Sequence, residues 1–237
     1  MKKIAGFISI LTSVALFTGC NRISSSSSNF EGIVTYEVKA GAGTPPEVTT
    51  MLQSMQMKTF VKGTLTRSEE AVAGNKNIVI SDSKKPDDPI MLISMLGHNY
   101  AVKRNDSLKK IAEGTIPKII YIDSASATKT IAGYVCKKAK VTMVIPHSDS
   151  VATEVYYTTD LPYADPEGQF KGLKGMPMEF SLNMGGLVIV IVAKTVEKKS
   201  LSDSLFTIPS GYKEMDITQL QKDMAKNIGA DSAAGAQ

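Results

Sequence analysis

The residues best suited to chemistry are few, and their spacing does not assemble a reaction. His98 and His147 stand 49 positions apart, each in a turn-like stretch, whereas zinc ligands come in close pairs. The run His147-Ser148-Asp149-Ser150 holds the residue types of a catalytic triad. Neighbours on one turn cannot adopt the orienter–base–nucleophile geometry, which separate elements supply. The Gly-x-Ser-x-Gly elbow of many hydrolases, the Gly-x-x-x-x-Gly-Lys-Ser/Thr phosphate loop and the Gly-rich dinucleotide turn are all missing from the sequence. Glu69-Glu70 and Asp87-Asp88 read as surface charges. The expectation is a non-enzymatic chain with no catalytic residue, no metal and no cofactor.

Methionine is the compositional oddity, at 12 residues. Met51, Met55 and Met57 lie close together, and thioethers can ligate Cu(I). Met51 and Met55 share a helical stripe with Val48 and Leu52, which points to packing. Flexible, polarizable thioethers also suit an apolar surface that adapts to varied ligands. Core, adaptable pocket and copper site all remain open on this evidence of spacing, in that order.

Cysteine chemistry is decided by the N-terminus. Lys2 and Lys3 precede an apolar stretch from Ile4 to Phe17 that ends Leu16-Phe17-Thr18-Gly19-Cys20. The stretch is shorter than the ~20 residues that span a bilayer and suits the core of a signal peptide. The last residues resemble the bacterial lipobox, with Phe17 in the place of the usual Leu. Cleavage would remove residues 1–19 and place a lipid of palmitate-type chains on Cys20. Residues 20–29, with the run Ser24 to Ser28, then read as a tether. Loss of Lys2 and Lys3 lowers the formal charge from +4 to +2, which gives no reason to expect nucleic acid as a partner. With Cys20 acylated, Cys136 has no disulfide partner and is expected as a buried, inert thiol.

The elements that would position a site are mostly strands. Phe30 to Val38 alternates with period two. A helix is expected over Pro45–Gln56, capped by Thr44 with Glu47 completing a capping box, and striped by Val48, Met51, Leu52 and Met55. Strands follow near 58–62, 65–73, 77–81, 90–96 and 99–104, with turns that include Lys85-Pro86-Asp87-Asp88. More strands are expected near 118–122, 134–145, 150–158, 178–183 and 187–198, the last two as a hairpin about Gly185-Gly186. Ile90 to Leu96 and Leu187 to Ala193 are apolar at every phase, so both faces of the sheet should be covered there. Asp216 and Gln219 form a second capping box, with Met215 and Leu220 placed as a hydrophobic staple. Residues 30–228 read as one domain and 229–237 as a flexible tail.

A set of motifs carries a resemblance. They are Thr130-Ile131-Ala132-Gly133-Tyr134-Val135-Cys136-Lys137-Lys138-Ala139, Val155-Tyr156-Tyr157-Thr158-Thr159-Asp160-Leu161-Pro162, Phe170 to Phe180, and Asp203-Ser204-Leu205-Phe206-Thr207-Ile208-Pro209-Ser210-Gly211-Tyr212. Their order resembles that of lipoproteins of the Bacteroidota carrying the domain of unknown function numbered 4412. It is also similar to the family named for its Gly-Leu-Pro-Gly-Leu-Ile motif, with Lys174 in the place of the proline. The resemblance implies kinship with the lipoprotein-carrier proteins of the Lol pathway. The implied fold is mainly β with a few helices (α+β): a strongly curved antiparallel sheet, an incomplete barrel closed by helices around an apolar cavity. The implied partner is an acyl chain, a lipoprotein or an apolar peptide. Val48, Met51, Leu52, Met55, Met91, Ile93, Met95, Val188, Val190 and Val192 are the expected lining. No acidic run follows Cys20, which favours an anchor in the outer membrane facing the periplasm. The alternative is an envelope interaction protein with a filled core.

Overall fold

A computed structural model describes residues 30–41, 43–95, 97–103, 118–144, 151–165, 170, 172–184, 187–220 and 222–223. Cys20, the tether, His147 and the tail lie outside them. Among the described residues the chain is mainly β. In order it forms β1 (Glu31–Ala40), α1 (Pro46–Ser54), β2 (Gln56–Lys62), β3 (Leu65–Val72), β4 (Asn75–Asp82), β5 (Lys85–Met95) and β6 (His98–Lys103). Then come β7 (Lys118–Ile131), β8 (Tyr134–Val144), β9 (Val151–Thr158), β10 (Met176–Met184), β11 (Leu187–Lys198), a short 3-10 helix (Asp203–Phe206) and β12 (Lys213–Asp216).

All the strands join one open sheet in the order β12-β6-β5-β4-β3-β2-β1-β11-β10-β9-β8-β7. Two antiparallel meanders, β1–β6 and β7–β11, are stitched together where β1 pairs with β11. β12 adds in parallel to β6 at one end. Short turns set the meander. Ala132 and Gly133 both take positive φ, 48° and 85°, the mirror-image turn whose twist matches two antiparallel strands. β7 comes within 8 Å of β11, Cα to Cα, although three strands separate them in the sheet. Strands lie ~4.8 Å apart in a sheet, so this half is not flat.

The sheet has two faces, and the inner one is the face toward α1. On the inner face Val34, Tyr36 and Val38 of β1, Val61 of β2, Met178 and Phe180 of β10, and Ile189 and Ile191 of β11 join one buried cluster. On the outer face Ile78, Ile80, Leu92 and Ala101 are covered by Leu201 and Phe206 from the segment after β11. Polar clamps hold that segment. Lys62 Nζ donates to the Leu201 carbonyl at 2.7 Å and meets Asp203 at 2.7 Å. The buried Arg67 donates to the Leu205 carbonyl at 2.7 Å and to Glu69 at 2.6 Å. A third cluster, Tyr100, Val102, Met215 and Leu220, closes the β6–β12 end.

Several expectations require correction. Lys85-Pro86-Asp87-Asp88 lies inside β5, and the turn falls just before it. The two prolines are tolerated because the β4–β5 register shifts between Ile80 and Asp82, and a prolyl nitrogen is admissible at a bulge. Thr44 does not cap α1. Its hydroxyl donates to the Gly41 carbonyl at 2.8 Å, and Pro45 holds the cap position without a side-chain bond. The helix is nine residues rather than three turns, because Gln56 already starts β2. The strands apolar at every phase are not covered on both faces: Met91 is 41% and Val188 41% exposed.

Candidate functional site

The ten expected lining residues do not meet around one space. Leu52 is buried, and Val48 and Met55 pack half-buried against the inner cluster. Met51, on the same helix, is 48% exposed. Ile93 belongs to the far cluster with Tyr100 and Met215, and Met91 faces solvent. The side chain of Met95 lies outside the described residues. Val190 and Val192 alternate with Ile189, Ile191 and Ala193 along β11 and are half-buried, Val192 still packs against the inner cluster, and Val188 is exposed. Successive strand side chains point to opposite faces, and a run apolar at every position carries no phase from which to choose one.

The structure places a pocket elsewhere on the inner face. It is lined by Tyr36, Met57, Thr59, Ser68, Glu70, Tyr163, Phe170, Pro177, Phe180 and Leu182 and holds about 30 Å³. Its origin is a step in side-chain size. Ser68 pairs with Thr59 across β2–β3, and Met57 pairs with Glu70, so short polar groups sit beside bulky ones. The aromatic wall is interlocked: Phe170 meets Phe180 edge-on at 4.9 Å and Tyr36 meets Phe180 edge-on at 6.4 Å. The Tyr36 hydroxyl donates to the Pro177 carbonyl at 3.0 Å, and burial pushes its pKa well above the ordinary tyrosine value.

A loop between β9 and β10 closes one side of this space. Asp165 Oδ1 accepts the Phe170 amide at 3.1 Å, which sets that ring in the wall. The Ala164 amide donates to Thr66 Oγ1 at 3.2 Å, which ties the loop to β3. At its far end Gly175 lies so near β9 that a Cβ there would fall 2.0 Å from the Thr158 carbonyl oxygen. α1 packs against β1 and β3, and its Leu52 joins the cluster that contains the pocket residues Tyr36, Met57, Phe170 and Phe180.

Glu70 is the functional candidate missed by sequence reasoning. It is half-buried, and burial holds its carboxyl above the ordinary carboxylate range. No ion pair compensates it among the described residues. Glu69, one residue earlier and so on the other face, is engaged by Arg67 and by Lys76 at 2.9 Å, which hold its carboxyl below the ordinary range against the opposing effect of burial. The signal was present: Leu65–Val72 reads Leu-Thr-Arg-Ser-Glu-Glu-Ala-Val, a central strand with polar groups on both faces. Asp87, Asp88 and His98 are exposed. Cys136 is buried, its Sγ donates to the Tyr134 carbonyl at 3.4 Å, and burial pushes its pKa up to about 11. Among the described residues no three His, Cys, Asp or Glu side chains cluster to hold a metal, and no helix is long and apolar enough to cross a membrane.

No protein-family model matches the chain, and no curated protein matches it. Among solved structures it is similar to LprF from Mycobacterium bovis at 10% identity, covering 80% of this chain and 93% of that one, with a TM-score of 0.28. A likeness at that score carries no argument about this chain's ligand.

Proposed function

We propose that this chain is a lipoprotein anchored through lipid on Cys20 to the periplasmic side of the outer membrane, as in the domain-4412 lipoproteins its motifs resemble. Its sheet acts as an incomplete barrel that binds an acyl chain or an apolar peptide segment between the inner face and α1. Catalysis has no part in the reading. The observation that carries it is the thin cover of the inner cluster by α1, of which Leu52 alone is fully buried. Burial of one leucine contributes ~1.5–3 kcal/mol, whereas each ligand methylene taken from water contributes ~0.8 kcal/mol. A long chain therefore gains more than release of the helix costs, even after the losses of association. The void of about 30 Å³ is far below the ~300 Å³ of small ligand pockets. In this reading a chain enters when α1 lifts.

That same small volume favours a second reading, an envelope interaction protein with a filled core. Native mass spectrometry separates them. The protein from residue 21 onward, incubated with a bacterial lipid extract, is expected to carry an acyl-chain adduct. Absence of any adduct would leave the filled-core reading. For the anchor, Cys20→Ser is expected to move the protein from the outer-membrane fraction to the soluble periplasm.

A further inference from the structure

We infer that the pocket on the inner face of β1–β3 is the head-group end of this binding surface and takes a primary ammonium group attached to an apolar chain. The inference rests on the proposed apolar-ligand reading and adds the chemistry of the head. Glu70 reaches the pocket from β3, beside the hydroxyls of Ser68 and Thr59 and the rings of Tyr163, Phe170 and Phe180. Aromatic faces attract a cation through their quadrupole, and a carboxylate supplies the counter-charge and acceptor oxygens. Hydroxyls complete the acceptor set for an N–H donor.

Among the described residues Glu70 has no cation partner. Its cross-strand neighbours are Met57 and Asn77. The basic side chains of β3 and β4, Arg67 and Lys76, pair with Glu69 instead. Burial raises the Glu70 carboxyl, so an arriving ammonium would relieve a charge that the described residues leave uncompensated. Size sets the degree of substitution. About 30 Å³ corresponds to one or two water-sized groups, which favours the small –NH₃⁺ over the bulkier trimethylammonium.

Titration calorimetry with four probes of equal chain length tests this: octylammonium, octyltrimethylammonium, octanol and octanoate, each with the protein from residue 21 onward. Octylammonium is expected to bind ~10-fold or more tighter than octanol, the scale of a hydrogen bond to a charged group, with octyltrimethylammonium and octanoate weaker still. Glu70→Gln is expected to bring octylammonium level with octanol. Equal affinities across the four probes in the unmodified protein would overturn the ammonium inference and leave the apolar surface standing. No binding of any probe would overturn both. The comparison within the unmodified protein decides the matter even if the variant folds poorly.

Discussion

Leu52→Ala is the most informative single perturbation of the lid. Leu52 is 3% exposed, while Met51 beside it is 48% exposed, so one side chain does most of the docking of α1. Leucine-to-alanine changes in cores cost ~2–5 kcal/mol. A short surface helix can settle toward its support, which places this site near ~2 kcal/mol, or roughly a 30-fold rise in the population with α1 released. Hydrogen exchange of the α1 amides reads that rise directly. The Thr49 amide, bonded to the Pro45 carbonyl at 2.9 Å, is expected to exchange ~30-fold faster, while amides of the β10–β11 ladder keep their rates. Affinity for an apolar chain should rise in the same variant, because less free energy is spent opening the site. If α1 and the β11 ladder accelerate together, the helix opens only with the whole domain, and the lid argument fails.

Other consequences follow from the same geometry. The Glu70 carboxyl is raised in the fold, so the folded chain keeps that proton to higher pH than the unfolded chain. Stability should fall as pH rises from the ordinary glutamate value through the folded one, and Glu70→Gln should remove that slope in pH-dependent urea melts while matching the unmodified protein at lower pH. Gly175→Ala forces a Cβ against the Thr158 carbonyl and is expected to cost ~1–3 kcal/mol by overpacking, seen as a lower Tm. Cys136, its pKa pushed up to about 11, should alkylate with iodoacetamide at neutral pH at least ~100-fold more slowly than a free thiol.

Local signals were legible where they carried a phase, and one of the two caps, that at Asp216, forms while that at Thr44 does not. The Asp216 box forms as its residues dictate: the Gln219 amide donates to Asp216 Oδ1 at 2.8 Å and the Asp216 amide to Gln219 Oε1 at 3.1 Å. Met215 and Leu220 then meet in one cluster. The strand Leu187–Lys198 was readable end to end. Its facing was not, since Leu-Val-Ile-Val-Ile-Val-Ala is equally apolar in both phases, and only pairing with β1 and β10 selects Ile189 and Ile191 for the inside. β12 is four residues on a parallel edge and owes its pairing to distant β6 rather than to its own pattern. Glu70 was hidden for a related reason. A charge pair reads as solvated until the order of strands places β3 in mid-sheet, with Ala164 bonded to its Thr66.

The central claim is that an apolar chain lies on the inner face beneath α1. Methyl-labelled methionines report this directly, because Met57 and Met178 belong to the inner cluster while Met91, on β5, is exposed and three strands away from β2. With a nitroxide-labelled stearate added, the account predicts broadening of the Met57 and Met178 methyl signals and an unchanged Met91 signal. Broadening confined to Met91, or none at any of the three, would contradict it.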